Sequence, residues 1–189
     1  MPNNDNNKRF TAMVLPHLDA AYNLARWMTR NSHDAQDVVN ESLLRALKYF
    51  GGFRGSDARA WLLTVVRNTC YTWLKVNRPA EVVTSYDENR HDANESDAEN
   101  EACDTPAQGP EELWLQRADA ELLNRTIADL PLEFREILIL RELEELPYKE
   151  IARIADIPIG TVMSRLSRAR KLLRQLLLKR LCVEPTNEL

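Results

Sequence analysis

Apolar residues in the first part of the chain recur at helical spacing. Phe10, Met13, Val14, His17, Leu18, Ala21, Leu24, Ala25 and Met28 share one face of a helix predicted over residues 8–30, with Pro16 early enough to be accommodated by a local kink. The stretch "HDAQDVVNESLLRALKYF" predicts a second helix. Ser32 is its expected N-cap, Asp34 and Asp37 lie near its positive end, and Gly51-Gly52 stops it. After the loop "GGFRGS", with Ser56 as the expected cap, "DARAWLLTVVRNTCYTWLKVNR" places Ala58, Trp61, Leu62, Val65, Val66, Thr69, Trp73 and Leu74 on a core-facing stripe. The other side carries Arg59, Arg67, Asn68, Tyr71, Lys75 and Arg78, a basic face with an aromatic interleaved.

Four more helical segments follow in the C-terminal part: Glu111 to Leu130, ending before Pro131, then "LEFREILILREL", "PYKEIARIAD" and "TVMSRLSRARKLLRQLLLKR". No segment alternates with the period of two that a strand needs, so an all-α protein is expected. The last two helices have the features of a helix-turn-helix. Ala152 and Ala155 allow close approach, Gly160 is expected to relax the turn, and Thr161 to cap the second helix. Val162, Leu166, Ala169 and Leu173 form that helix's buried stripe, leaving Met163, Ser164, Arg165, Ser167 and Arg168 outward near its start. A helix entering a major groove reaches base edges and phosphates with such residues. The alternative at this point is a helical hairpin whose arginines only solubilise it.

Charge divides the chain further. Residues 1–80 carry net +5, residues 81–112 net −10 and residues 113–189 net +1, within a total of −4. The middle segment has few large apolar residues and cannot bury enough surface to offset the entropy of ordering, which predicts a flexible acidic linker. Two small helical domains are therefore expected, residues 8–79 and 111–182, joined by a linker over 80–110. Residues 161–180 hold seven Lys and Arg and no acid. The helix dipole accounts for Lys179 and Arg180 at the C-terminal end, but it disfavours Arg165 and Arg168 near the N-terminal end.

Composition narrows the function classes. No apolar run reaches the roughly 18 residues of a membrane span, and the polar N-terminus has no export core, so a cytoplasmic protein without membrane insertion is expected. Cys70, Cys103 and Cys182 are odd in number and widely spaced, which argues for reduced thiols. His91 and Cys103 alone make a poor metal pair, and neither a metal nor a cofactor is expected. The chain has no nucleophile elbow, HExxH, P-loop or dinucleotide loop, so no enzyme activity is expected. A helix-turn-helix regulator that binds an operator by itself, usually as a dimer, is a competing reading, but it leaves the basic-aromatic helix of the first domain without a role.

The blocks "DAQDVVNESLLRALKYFGGFRGSDARAWLLTVVRNTCYTWL" and "LPLEFREILILRELEELPYKEIARIADIPIGTVMSRLSRARKLL" resemble regions 2 and 4 of the extracytoplasmic-function (ECF) sigma factors of bacterial RNA polymerase. The resemblance implies that Asp34, Asp37, Val38, Glu41 and Leu44 dock on the clamp helices of core RNA polymerase, with Asn40 where the family often has glutamine. It implies that Phe53, Arg54, Arg67, Asn68 and Tyr71 melt the −10 element of promoter DNA and capture a flipped base. Thr161, Met163, Ser164, Arg165, Ser167 and Arg168 correspond to the −35 contact region, Met163 replacing a frequent Lys or Arg. An anti-sigma factor is implied as a further partner, and the acidic linker is similar to those that run through the RNA exit path.

Acidity overall then fits the basic faces. A lone DNA binder profits from positive charge, whereas two modest basic modules held on a large scaffold gain by effective concentration. Trp61 and Trp73 are expected as core anchors. Tyr71 and Phe53 remain open between packing and base stacking. The "LLRQLLLKRL" tail is expected to pack on its own domain.

Overall fold

The computed structural model describes residues 3–55, 57–83 and 110–183. Residues 84–109 of the expected linker, Ser56, His91 and Cys103 therefore lie outside the described residues, whereas residues 80–83 are helical, with Glu81 3.6 Å from Arg78, and not the start of a flexible linker. All regular structure among the described residues is helical: α1 (Asn3–Val14), α2 (Leu18–Thr29), α3 (Ser32–Tyr49), α4 (Ala58–Asn77), α5 (Pro79–Val83), α6 (Pro110–Ala128), α7 (Leu132–Glu142), α8 (Tyr148–Ala155) and α9 (Ile159–Val183).

In the N-terminal module α2, α3 and α4 pack mutually. Small residues make this possible, because Ala20, Ala21 and Ala25 of α2 and Ala35, Ser42 and Ala46 of α3 are buried at the crossings. Leu24 and Met28 of α2 and Leu62, Leu63, Val66 and Leu74 of α4 fill the remaining space. Each large apolar side chain so buried contributes about 1.5–3 kcal/mol. The helix expected over residues 8–30 is two helices. Pro16 sits in a 3-10 turn, Leu15–His17, where its missing N–H breaks the ladder.

Aromatic rings close one end of this module. Phe10 meets Phe50 edge-on at 5.2 Å and Phe53 packs against Trp61 at 4.8 Å. Gly55 lies under the Phe53 ring, and a Cβ there would stand 3.0 Å from it.

In the C-terminal module α8 and α9 pack on α7, and α6 packs on α9. Buried Ile151 and Ile154 of α8, and Val162, Leu166 and Ala169 of α9, pack on Phe134, Ile137, Leu138 and Leu140 of α7. The two modules also pack on each other, α2 against α7 and α4 against α8, in one continuous apolar cluster. α7 is consequently buried on all sides, including its Arg135 and Glu136.

Four local expectations are corrected. Asp57, not Ser56, caps α4: its side chain accepts from the backbone N–H of Ala60 at 2.9 Å. Asn31, not Ser32, caps α3: its side chain accepts from the backbone N–H of His33 (2.8 Å) and Asp34 (3.3 Å). Thr161 does not cap α9, which begins at Ile159; the backbone N–H groups of Thr161 and Val162 both donate to the Pro158 carbonyl. Nor does Gly160 relax the turn. The left-handed residue is Asp156 (φ 55°), which ends α8, while no described glycine has positive φ. Asp tolerates that conformation better than most residues.

Asn31→Ala is expected to lower stability by about 1 kcal/mol, and Ser32→Ala by less than about 0.5 kcal/mol, in urea melts. Gly160→Ala is expected to raise stability by up to ~1 kcal/mol, since its Cβ meets nothing within 4 Å. A loss of stability in that variant would show that Gly160 serves the turn after all.

Candidate nucleic-acid interface

Three groups of residues were expected to form binding surfaces. On α3 the helical register turns Asp37, Glu41 and Leu44 outward, and Leu44 is 66% exposed. Glu41 pairs with Arg45 at 2.7 Å and Asp37 with His33 at 3.4 Å, both one turn apart along the exposed face. Val38 is 2% exposed and belongs to the core, although it also floors a groove of about 340 Å³ between α3 and α4. Trp73 and Val76 of α4 form the other wall, and Asp37 and Glu41 stand at the rim. Asp34 faces inward enough to receive Arg78 Nη2 at 3.1 Å, so it ties α3 to the end of α4.

The second group is split. Phe53 is buried among Phe50 and Trp61, so of the two open readings the structure gives it packing. Arg54 and Asn68 are exposed. Arg67 and Tyr71, one turn apart on α4, come together, with the Arg67 guanidinium 4.5 Å over the Tyr71 ring. Both also meet Glu136 of α7. Arg67 Nε donates to Oε1 and Tyr71 Oη donates to Oε2 at 2.7 Å.

These contacts set the ionisation of the pair. Burial pushes the Tyr71 phenol up, and the neighbouring Glu136 carboxylate raises it further, well above the ordinary value. Burial pulls Arg67 down, but Glu136 outweighs it and leaves the guanidinium raised, hence charged. Burial likewise raises the Cys70 thiol on the same helix.

In the third group the first turns of α9 present Met163, Ser164 and Ser167 to solvent, with Thr161 and Arg168 half-buried. The Ser164 hydroxyl donates to the Thr161 carbonyl at 3.1 Å, which fixes its rotamer. Arg165 points toward the body of the module, where its Nη2 lies 3.0 Å from Glu133 of α7.

Pattern reading missed the acidic and basic residues that face these surfaces from the other module. Glu144, 5% exposed, receives Arg59 Nη2 at 2.6 Å on Oε2 and Asn23 at 3.5 Å on Oε1. Arg135 donates to the carbonyls of Ala128 (2.6 Å) and Met28 (3.2 Å), joining the C-terminal ends of α6 and α2. Carbonyls at a helix end have no partner within the helix and carry partial negative charge, so a guanidinium fits there. Burial, with Arg30 nearby, pulls the Arg135 guanidinium down to about 10. One signal was present: "LEFREILILREL" spreads its apolar residues around the helix and leaves no polar face, as in a helix packed on several sides.

The family pattern Sigma-70 region 2 matches residues 13–79 and Sigma-70, region 4 matches residues 120–173. The ECF RNA polymerase sigma-E factor of Salmonella typhimurium is 36% identical over 146 residues, covering 74% of this chain and 72% of its own. RNA polymerase sigma-H factor of Pseudomonas aeruginosa is 31% identical over 167 residues, covering 87% and 83%. Among solved structures, the sigma factor RpoE in complex with the anti-sigma factor NepR from Bartonella quintana has a TM-score of 0.65 at 26% identity, over 94% of this chain and 99% of that one. CnrH in complex with the cytosolic domain of CnrY, with a TM-score of 0.59 at 22% identity over 90% and 88%, shares the fold.

The helical fold with its region 2 and region 4 blocks is that of a sigma-70-type factor. Within that class, the chain belongs to the ECF RNA polymerase sigma factors.

A buried phenol gives a direct test of the Tyr71 environment. With the folded pKa raised, the stabilisation is fully present below the unfolded value of about 10 and is lost as pH rises through the folded value. In an alkaline ultraviolet titration of the five tyrosines, one is expected to ionise later than about pH 10, together with unfolding, and Tyr71→Phe to remove that late step. A late step that persists in Tyr71→Phe would place the protected phenol elsewhere.

Proposed function

We propose that this sigma factor directs promoter-specific initiation with three separate surfaces and no chemistry of its own, in the cytoplasm and under the control of an anti-sigma factor. The α3/α4 groove with Asp37, Glu41 and Leu44 is the dock for core polymerase. Val38 shapes it from below and Asp34 holds α3 against α4. Arg54, Arg67, Asn68 and Tyr71 read and hold the melted −10 strand, with Phe53 anchoring the loop behind them. Met163, Ser164, Ser167 and Arg168 face the −35 element, while Thr161 and Arg165 set the pitch of α9, the latter through Glu133.

The observation that carries this reading is the pairing of both sigma regions in one chain, each presenting polar side chains on one helix: α4 in region 2 and α9 in region 4. A flipped base needs a stacking surface and polar groups for its edge, which Tyr71, Arg67 and Asn68 can supply together. Three further considerations bear on the wider reading. No helix among the described residues is long and apolar enough to cross a membrane. No group of metal-binding type occurs among them either. One solved relative of this fold, the sigma factor RpoE from Bartonella quintana, was obtained in complex with the anti-sigma factor NepR. The proposed domain boundaries are residues 8–79 and 111–182, with 80–110 as linker.

Run-off transcription with bacterial core polymerase on fragmented DNA from the source organism tests the reading. Defined transcripts are expected only when the protein is added. Retardation of specific DNA by the protein alone, without transcript or co-elution with core, would overturn it. Arg168→Ala is expected to cut transcription from promoters with an intact −35 element about tenfold, the scale of one good contact, with co-elution unchanged. Leu44→Ala is expected to weaken co-elution instead, and the reverse pattern in either variant would reassign its surface.

A further inference from the structure

Three guanidiniums converge where the C-terminal ends of α2 and α4 meet α7. Arg30 ends α2, Arg78 ends α4 and Arg135 lies on α7. Between them stands one carboxylate, that of Glu81 on the short helix α5. Arg30 Nη2 donates to its Oε1, Arg78 Nη1 lies 3.6 Å from the same oxygen, and Arg135 Nη2 lies 3.6 Å from Oε2. Two of the three approaches are therefore ion pairs too long to be hydrogen bonds. Asp34 takes Arg78 Nη2 at 3.1 Å, which leaves three positive charges against two negative ones.

Backbone carbonyls hold the guanidiniums in place. Arg30 Nη1 donates to Ala128 at 3.2 Å and Arg78 Nη1 to Thr29 at 2.7 Å, while Arg135 reaches Ala128 through Nη1 and Met28 through Nη2. Arg135 is 1% exposed, yet its Nε has no hydrogen-bond partner among the described residues. Nε and Nη2 form the edge of a guanidinium that grips two oxygens of one carboxylate or phosphate side by side. In Arg135 that edge is half used. Arg30 is also held in the left-handed region (φ 57°), a conformation that costs energy for a residue with a side chain and is met at ligand-holding sites.

We propose that Arg30, Arg78 and Arg135 form a binding site for a phosphate dianion, either inorganic phosphate or the terminal phosphate of a nucleotide, with Glu81 as an internal competitor for it. Such a dianion brings three terminal oxygens and two charges to three guanidiniums, where Glu81 brings two oxygens and one charge. A phosphodiester of nucleic acid brings no more than Glu81 does, so the site selects small phosphates over a DNA strand. Glu81 is 21% exposed and sits on a helix of five residues, so its carboxylate can turn to water when the dianion enters.

The test is calorimetric titration and thermal unfolding of the full chain in sodium phosphate at about pH 8, where phosphate is a dianion, against sodium chloride of equal ionic strength. A ligand held only by the folded chain raises the unfolding midpoint by mass action, so a rise with phosphate and not with chloride is expected, together with saturable binding at one site. Glu81→Gln keeps the shape and removes the competing charge, and is expected to tighten phosphate binding about tenfold. Arg30→Gln is expected to weaken it about tenfold, and Arg30→Lys, which keeps the charge and loses the fork, to weaken it less. The lysine variant preserves the test if Arg30→Gln folds poorly. A nucleoside triphosphate that binds more tightly than inorganic phosphate assigns the site to nucleotides, and equal or weaker binding assigns it to free phosphate. Binding that does not saturate, an equal midpoint shift in chloride, unchanged affinity in both Arg30 variants, or no gain in Glu81→Gln overturns the proposal.

Discussion

An ionised carboxylate withdrawn from water needs partners for its lone pairs, and losing one from a buried pair costs about 3–5 kcal/mol. Glu136 and Glu144 impose that requirement here, and α4 meets it with Arg67, Tyr71 and Arg59. The packing of α2 on α7 and of α4 on α8 follows from where those donors stand. Apolar burial alone allows small slides of one module over the other. Paired charges fix the register, because a shift of a few ångströms leaves a buried charge unmet.

Arg135 extends the same constraint to the backbone. Its guanidinium bridges carbonyls at the ends of α2 and α6, while Arg30 reaches Ala128 and Arg78 reaches Thr29. Glu81 lies beside all three arginines. The interface therefore holds buried charged groups, Arg135, Glu136 and Glu144, within its apolar packing.

The surfaces assigned to partners differ in how much they depend on this packing. The α3/α4 groove is internal to the N-terminal module, and Met163, Ser164 and Ser167 sit outward on α9. Arg67 and Tyr71, among the residues assigned to promoter DNA, are engaged by the other module through Glu136.

Periodicity alone revealed most of the helices, because the stripes of α2, α4 and α9 are set by residues that must be buried whatever the partner. The outward turns of α9 and the exposed face of α3 were legible for the same reason. Capping was less so. Ser32 and Asn31 are both good N-caps, and the choice between them rests on backbone angles that composition does not encode. Asp156 took the left-handed position because the turn falls there, three residues before α9 begins, although Gly160 was the residue better suited to it.

What the sequence determined by itself was the helices, the charge on each segment and the two blocks of family residues, all of which depend on local spacing. Tertiary structure decided which charged residues are buried and with whom. Glu136 and Glu144 are indistinguishable in the sequence from surface acids such as Glu142 or Glu145, and their partners lie 65 to 121 residues away along the chain. No local pattern carries a contact at that separation, because it exists only once two independently formed helical faces have met.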